Sequence, residues 1–308
     1  MNYVIGDVHG CLDDLQTLLV KIESKDPDAT IYFVGDWIDR GPRVADTMTW
    51  VVENISVSGK YRSIRGNHDQ EAYDWFNNEY IPWYETEHSG YDNPPETLYD
   101  FAERVKNDFD YDPGRIRPFM DVVKEKMPYN LAINTVSAGG VPVTYRICHA
   151  WHSYDEELNI IQRNQINLYK RDYWGSYLDE IIIHGHTPTI VRDYQFRCQL
   201  DENRPGLIGY RQNAINVDGG CCFFPHNSEY PCMLCAICLE TLEEIYPYSL
   251  EDRLLEGARL QVKNGWMDQE GVLEDSRVEA MFENHLKNYL NIREAEERIE
   301  MKKRLNLR

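Results

Sequence analysis

The chain has no long hydrophobic run. No segment approaches the roughly 20 consecutive apolar residues that a membrane-spanning helix requires. The sequence enters an apolar, strand-like stretch at Tyr3 without a basic segment or an apolar signal core before it. Internal repeats and low-complexity tracts are absent as well, which excludes repeat architectures. We therefore expect a cytoplasmic protein that does not cross a membrane.

Positive charge is scarce. The chain has 32 lysines and arginines against 52 aspartates and glutamates, and its formal net charge is -20 at pH 7. Neither a nucleic acid nor an anionic membrane gains counterion release from such a surface. We therefore expect neither kind of partner. The length of 308 residues is ample for one large α/β domain.

Cysteine occurs eight times, and three of these residues are closely spaced. Cys232, Cys235 and Cys238 have a spacing that could hold zinc or an iron–sulfur cluster. The residues between them are apolar, as in a buried strand, on which Cys232 and Cys238 would face one way and Cys235 the other. We therefore favour small buried thiols in a reducing compartment over a metal cluster.

Short apolar runs alternate with helical patterns from the start of the chain. Residues 3–6, 30–34 and 61–65 predict strands, and helical patterns follow Leu12 and Pro42. Later segments predict a hairpin over residues 131–136 and 143–148, a helix over 155–169, and strands over 180–183, 214–217, 233–239 and 242–246. In open α/β sheets ligands bind at the carboxyl ends of the strands.

Polar motifs follow five of these predicted strands. They are Gly6-Asp7-Val8-His9-Gly10, Gly35-Asp36-Trp37-Ile38-Asp39-Arg40-Gly41, Gly66-Asn67-His68-Asp69, His149-Ala150 and Gly185-His186-Thr187. Their mixture of carboxylate, imidazole and amide groups suits Mn, Fe or Zn better than magnesium or calcium, which favour all-oxygen shells. Two metal ions account for six ligands better than one, and a carboxylate such as Asp36 can bridge a pair held roughly 3.5 to 4 Å apart.

The motifs, taken in this order, resemble those of the phosphoprotein phosphatase family of calcineurin-like metallophosphoesterases. The likeness spans about residues 3–245, and Asn216-Val217-Asp218-Gly219-Gly220 resembles a late segment of the bacterial and phage branch of serine/threonine phosphatases. It implies an α/β fold with a central β-sandwich of two mixed sheets flanked by helices. We expect a metallophosphoesterase domain at residues 1–248, a mostly helical insertion near the site at 70–128, and a helical extension at 249–308.

The resemblance also implies two divalent transition metal ions, with Mn preferred and Fe or Zn as alternatives. One ion would be held by Asp7, His9 and Asp36, and the other by Asp36, Asn67, His149 and His186. A hydroxide bridging the ions would attack phosphorus in line. His68, kept cationic by Asp39, would protonate the leaving oxygen, and Arg40 would bind the phosphoryl oxygens. Arg65 and Arg171 are further candidates for binding the substrate.

Several alternatives stay open. The family often has Glu where this chain has Asp69, and His184 lies two residues before His186. Thr187 favours a phosphomonoesterase acting on a phosphorylated protein or a small phosphoester, because symmetrical tetraphosphate hydrolases tend to have Trp at this position. A symmetrical bis(5'-nucleosyl)-tetraphosphatase is one alternative, and a non-catalytic metal-binding module is another. The sequence does not define the oligomeric state.

Overall fold

The structure is a computed structural model that describes residues 1–77, 112–151, 157–169, 179–190, 204–211, 213–224, 226–265, 275–290 and 296–307. Strands in these ranges are β1 (Asn2–Ile5), β2 (Thr30–Phe33), β3 (Tyr61–Ser63), β4 (Asn130–Val136), β5 (Pro142–Cys148), β6 (Glu180–His184), β7 (Gly209–Arg211), β8 (Ala214–Asn216), β9 (Ala236–Cys238) and β10 (Glu244–Ile245). Helices are α1 (Leu12–Lys25), α2 (Val44–Asn54), α3 (Asn67–Asn77), α4 (Pro113–Lys126), α5 (Ile160–Tyr169), α6 (Leu250–Gly265), α7 (Asp275–Leu290) and α8 (Glu296–Arg304).

The strands form two mixed sheets. The first has the order β10-β9-β1-β2-β3, with β1, β2 and β3 parallel and β9 antiparallel to both of its neighbours. The second has the order β4-β5-β6-β8-β7, with β5, β6 and β8 parallel and the outer strands antiparallel. Helices flank the sheets, and this architecture confirms the predicted fold class.

An apolar core lies between the two sheets. Val4 of β1 packs there with Ile183 of β6 and Ile215 of β8, all without solvent exposure. The neighbouring β1 residues, Tyr3 and Ile5, point to the opposite face and pack with α1 and α2. The helical spacing predicted for α1 is confirmed, because its apolar face is fully buried through Leu12, Leu15, Leu18, Leu19 and Ile22. The sheet edge that carries the motifs is therefore supported by packing on both sides.

Some boundaries differ from the predicted ones. Helix α2 begins at Val44, two residues after Pro42, and β3 ends at Ser63 instead of residue 65. Strand β7 was not predicted, because three residues beginning with glycine give too short a pattern. The predicted hairpin is confirmed by the antiparallel pairing of β4 and β5.

The two helical regions are partly described. Of the predicted insertion at 70–128, α3 and α4 are helical, and residues 78–111 lie outside the described residues. The C-terminal segment forms α6, α7 and α8, and Met301 and Leu305 are buried in the core between the sheets. The division of the chain at residue 248 stays a prediction. None of the described helices combines the length and apolarity needed to cross a bilayer.

The closely spaced cysteines lie in different surroundings. Strand β9 covers only Ala236–Cys238, so the strand predicted over residues 233–239 is shorter than expected and begins after Cys232 and Cys235. Cys235 packs between the sheets and Cys238 packs on the opposite face of the first sheet. The Cys232 thiol lies 3.6 Å from the carbonyl of Asn227. Each thiol therefore serves local packing.

Candidate metal centre and active site

The predicted motifs meet at one edge of the two sheets. Strands β1, β2 and β3 run parallel in the first sheet, and β5 and β6 run parallel in the second, so their carboxyl ends bring the loops that follow them together. Polar residues at this edge are almost completely enclosed: the buried ones are Asp7, His9, Asp36, Asp39, Asn67, His68 and His149. His186 and Arg40 are half-buried. Burial of so many ionisable groups indicates a functional site.

The backbone of these loops adopts conformations that side-chain-bearing residues rarely take. His9, Asp36, Asp39, Arg40 and His186 all have positive φ, between 43° and 72°. Each such residue costs about 1–3 kcal/mol and persists only where surrounding structure enforces it. Here the amides of Val8 and His9 both donate to the carbonyl of Asp36, at 3.1 and 2.8 Å. Hydrogen bonds between the first and second loops thus hold the site residues in place.

Asp36 lies at the centre of the site. Its Oδ2 is 3.2 Å from His149 Nε2, 3.6 Å from His9 Nε2 and 3.9 Å from His68 Nε2. Its Oδ1 accepts a hydrogen bond of 3.0 Å from the His68 amide. Burial alone would raise the pKa of Asp36, but His149 and His68 outweigh it and hold that pKa well below the ordinary value. Asp36 is therefore ionised and faces three imidazole nitrogens.

Two groups of side chains could each hold a cation. One is His9, Asp36 and His68, and the other is Asp36, His149 and His186; within each group the ligand atoms lie within 4.8 Å of one another. Both groups share Asp36, as expected for a bridging carboxylate. His68 takes the place in the first group that the resemblance gives to Asp7.

Asp7 adjoins these groups without entering them. Its Oδ2 accepts a 3.0 Å hydrogen bond from the His186 amide, and its Oδ1 is buried with no hydrogen-bond partner among the described residues. A Cβ added to Gly185 would lie 1.9 Å from that Oδ1, so glycine is what allows the second sheet to approach the carboxylate. Burial and the neighbouring Asp218 raise the pKa of Asp7 well above its ordinary value. An unsatisfied buried carboxylate oxygen calls for a cationic partner.

Hydrogen bonds fix the orientation of the imidazole rings. His9 Nδ1 lies 2.7 Å from the Ile38 carbonyl, and His149 Nδ1 lies 2.8 Å from the Val34 carbonyl. Because a carbonyl only accepts, Nδ1 carries a proton in both rings, which leaves Nε2 as the ring atom that can bind a metal. The Asn67 Oδ1 is 2.9 Å from His149 Nε2 and 2.8 Å from His186 Nδ1. The available donor atoms thus fit a pair of borderline divalent cations.

His68 and Asp39 form a buried pair beside the centre. The distance from His68 Nδ1 to Asp39 Oδ2 is 2.6 Å. Burial would lower the pKa of His68, but the charge of Asp36 and the hydrogen bond that His68 donates to Asp39 raise it overall. The guanidinium of Arg40 lies 2.6 Å from His9 Nε2 and packs 5.2 Å from the centroid of the Phe223 ring. The pair and the arginine lie on the same side of the site as His9.

The remaining candidates are distributed differently. All three guanidinium nitrogens of Arg65 donate within the fold, to Gln70 and to the carbonyls at the end of α4, namely Val123, Lys124 and Met127. This capping of a helix terminus is a structural role, and the predicted contact of Arg65 with substrate stays a prediction. Arg171 lies outside the described residues. His184 belongs to neither cation group, and burial lowers its pKa to about 4.

Sequence reasoning assigns no role to Asp69, which organises the central loop. Its carboxylate accepts from three amides: Asp36 and Gly66 at 2.9 Å, and Trp37 at 3.1 Å. Its position in the first turn of α3 was the available signal, because carboxylates there are favoured by the unpaired amides of a helix start. Asp69 was noted only as a departure from the family's Glu, and the structure gives it a specific task.

Comparisons with known proteins bear on the family. Residues 3–210 match the model of the calcineurin-like phosphoesterases. Symmetrical bis(5'-nucleosyl)-tetraphosphatases from Vibrio cholerae and Hamiltonella defensa are 38% and 40% identical over 68 residues, which is 22% of this chain and 24% of each relative. The alignment therefore spans about a quarter of the length of these relatives.

Two solved structures are among those to which this chain is similar. A metallophosphoesterase from Sphaerobacter thermophilus is 14% identical with a TM-score of 0.37, and the match covers 91% of this chain and 97% of that one. A serine/threonine phosphatase from Saccharomyces cerevisiae is 16% identical with a TM-score of 0.29, covering 73% of this chain and 57% of that one. The family model alone spans more than half of the chain, and on that ground the protein belongs to the calcineurin-like phosphoesterase family.

Proposed function

We propose that the protein is a metal-dependent phosphoester hydrolase that acts on phosphomonoesters, as a serine/threonine phosphatase does. The observation that carries the proposal is the convergence on Asp36: three imidazole nitrogens lie 3.2 to 3.9 Å from one oxygen of a buried, ionised carboxylate. A purely structural cluster would satisfy its polar atoms internally, yet Asp7 Oδ1 has no hydrogen-bond partner. Family membership supports the same chemistry.

The ligand assignment follows the donor atoms. We propose that Asp7, His9 and Asp36 hold one ion, and that the second is held by Asp36, Asn67, His149 and His186. When bound, the two cations supply a nucleophile from water at neutral pH and stabilise charge on the phosphoryl oxygens. The carbonyl contacts of His9 and His149 keep their Nε2 atoms directed into the site. We propose Mn as the metal, with Fe or Zn as alternatives of the same ligand preference.

His68, Asp39 and Arg40 complete the proposed site. His68 donates its Nε2 proton to the leaving oxygen, and Asp39 fixes the ring through Nδ1 and supports its cationic form. Arg40 holds the phosphoryl oxygens by charge-assisted hydrogen bonds. Its guanidinium already lies at the mouth of the site, against the Phe223 ring. The proposed site does not include Arg65, because its donors are used within the fold.

The proposed substrate class is a phosphomonoester, on a protein or a small molecule. Thr187, which follows Gly185-His186, is the feature of the chain that favours it. A symmetrical dinucleoside tetraphosphate is the second candidate, because the curated relatives carry that name. The two classes share the metal chemistry and differ in what the walls of the site admit.

The experiment begins with chelated, metal-free protein to which Mn²⁺ or Mg²⁺ is added. We expect hydrolysis of p-nitrophenyl phosphate with Mn²⁺, and little with Mg²⁺. Parallel assays with phosphoserine peptides, nucleoside monophosphates and diadenosine tetraphosphate rank the substrate classes. A higher kcat/KM for the tetraphosphate would replace the phosphomonoester proposal. Bound Mn²⁺ without turnover on any substrate would indicate a non-catalytic module.

A further inference from the structure

Asp218 is a further buried carboxylate at the site, and the ligand set above leaves it unused. It follows β8 in the second sheet and is 2% exposed. Its Oδ1 accepts a 2.9 Å hydrogen bond from the Gly220 amide, whereas its Oδ2 is buried with no hydrogen-bond partner. Leaving a charged oxygen unsatisfied costs more than leaving a neutral one. Oδ1 of this carboxylate therefore stabilises a turn, whereas Oδ2 makes no hydrogen bond with the described residues.

The segment that carries Asp218 packs directly against the first metal-binding loop. A Cβ on Gly6 would lie 2.1 Å from the Val217 carbonyl and 3.4 Å from the Asp218 Cα, so the two backbones are in close contact. Farther along the same segment, the Cys221 thiol lies 3.4 Å from the carbonyl of Asp7. Contacts made by residues before and after Asp218 in the sequence therefore hold it beside Asp7.

The charged side chains that surround Asp218 indicate on which part of the site its Oδ2 acts. After burial, the charge of Asp218 is the main cause of the raised pKa of Asp7, and Arg40 and Asp36 in turn act on the pKa of Asp218. Among described residues, the orphaned oxygens of two acids, Asp7 Oδ1 and Asp218 Oδ2, lie at this side of the site. Two like charges are placed close together in a buried site only where a cation offsets them.

We propose that Asp218 is a positioning residue of the metal centre, which supplies a third carboxylate charge on the Asp7 side and raises the affinity for divalent cations. The proposal rests on the metal centre proposed above. Two divalent ions carry more positive charge than Asp7 and Asp36 offset, and the number of ligand-side charges is one determinant of cation affinity. Asp218 increases that number without displacing any of the imidazole ligands.

The test is Asp218→Asn, which keeps an oxygen for the Gly220 amide and removes only the charge. Mn²⁺ binding is followed by the electron paramagnetic resonance signal of free Mn²⁺, which is independent of turnover. We expect the affinity of the variant to fall about 10- to 100-fold, the range seen when outer partners of metal ligands are changed. The melting temperature of the metal-free variant should equal or exceed that of the metal-free wild type, because a repulsive buried charge has been removed.

Asp28→Asn is the matched control, since Asp28 is exposed and precedes β2 at the opposite end of the sheet. Its Mn²⁺ affinity should equal that of the wild type. Equal affinity of Asp218→Asn and the wild type overturns the role of Asp218 and leaves the proposed function intact. Loss of affinity together with a lower metal-free melting temperature also overturns it, in favour of a structural role. Absence of Mn²⁺ binding by the wild type overturns the metal centre and this inference together.

Discussion

His68 and Asp39 are joined by a 2.6 Å contact between Nδ1 and Oδ2, and both side chains are buried. Nε2 of the same ring lies 3.9 Å from Asp36 Oδ2. One imidazole therefore links a carboxylate of the second loop to the carboxylate at the centre of the site. This placement allows two roles for His68, proton donor or metal ligand, and they differ in what its replacement removes.

His68→Asn should lower turnover by about 10²- to 10⁴-fold while the protein keeps its bound Mn²⁺, because a general acid contributes to rate and not to cation binding. Metal content by mass spectrometry and kcat with p-nitrophenyl phosphate measure the two effects. The exposed His226 provides a control, since His226→Asn should change neither. Loss of Mn²⁺ from His68→Asn would assign His68 to the cation site, and full activity would remove it from the mechanism.

Asp39→Asn should move the alkaline limb of the pH–rate profile to lower pH. The folded state raises the pKa of His68 through the charge of Asp36 and the hydrogen bond that His68 donates to Asp39. A bound cation offsets the charge of Asp36. In the metal-bound enzyme, Asp39 is therefore the group that keeps the pKa of His68 raised. The acid form of His68 is lost as pH rises through its pKa, and removing Asp39 lowers that pKa. An alkaline limb at the same pH in wild type and variant would contradict this role.

Asp69→Asn should destabilise the protein by about 1–3 kcal/mol. The NH₂ group of asparagine would face backbone N–H groups, which now donate hydrogen bonds to the carboxylate. Three such donors meet Asp69, from Asp36, Trp37 and Gly66. Urea denaturation of the metal-free protein measures the change. Asp74→Asn is the control, an exposed position in the same helix that should alter stability little. A stability of Asp69→Asn equal to that of the control would show that the loop does not depend on the carboxylate.

Glu244→Gln should lower the free energy of unfolding at pH 7 by about 3–5 kcal/mol, the cost of removing one partner from a buried ion pair. Glu244 pairs with Arg204 at 2.6 Å and with Arg298 at 3.2 Å, and accepts from Tyr210 and Tyr246. Burial would raise the pKa of Glu244, but Arg204 lowers it overall. The contribution of ionised Glu244 to the free energy of unfolding is therefore complete above its unfolded-state pKa. That contribution is lost as pH falls through its folded-state pKa.

Denaturation of Glu244→Gln and of the wild type across acidic pH tests this direction of the pH dependence. The difference in stability between them should be largest near neutrality and should shrink as pH falls. The exposed Glu279 offers a control, because Glu279→Gln should have little effect at any pH. A difference that grows toward low pH would contradict the lowered pKa.

Short apolar runs predicted the strands, and the polar motifs that follow them predicted the functional edge of the sheets. The assignment of Asp36 and His149 to one metal ion was implied by the resemblance of these motifs to those of the calcineurin-like family. Arg65 could not be assigned in this way, because its partners at the end of α4 are distant in sequence. The same holds for Asp218, whose importance depends on an oxygen that lacks a partner only once the two sheets have packed. The roles of such residues depend on tertiary contacts, which local sequence patterns do not show.

The positive φ angles of His9, Asp36, Asp39, Arg40 and His186 have a consequence for engineering. Substitution by glycine or asparagine would relieve backbone cost at these positions, so a screen for thermal tolerance alone should be drawn to this part of the chain. The same substitutions would remove the proposed ligands and the phosphate-binding arginine. Improved heat resistance and retained catalysis should therefore be selected at separate places, with stabilising changes sought away from this edge of the sheets.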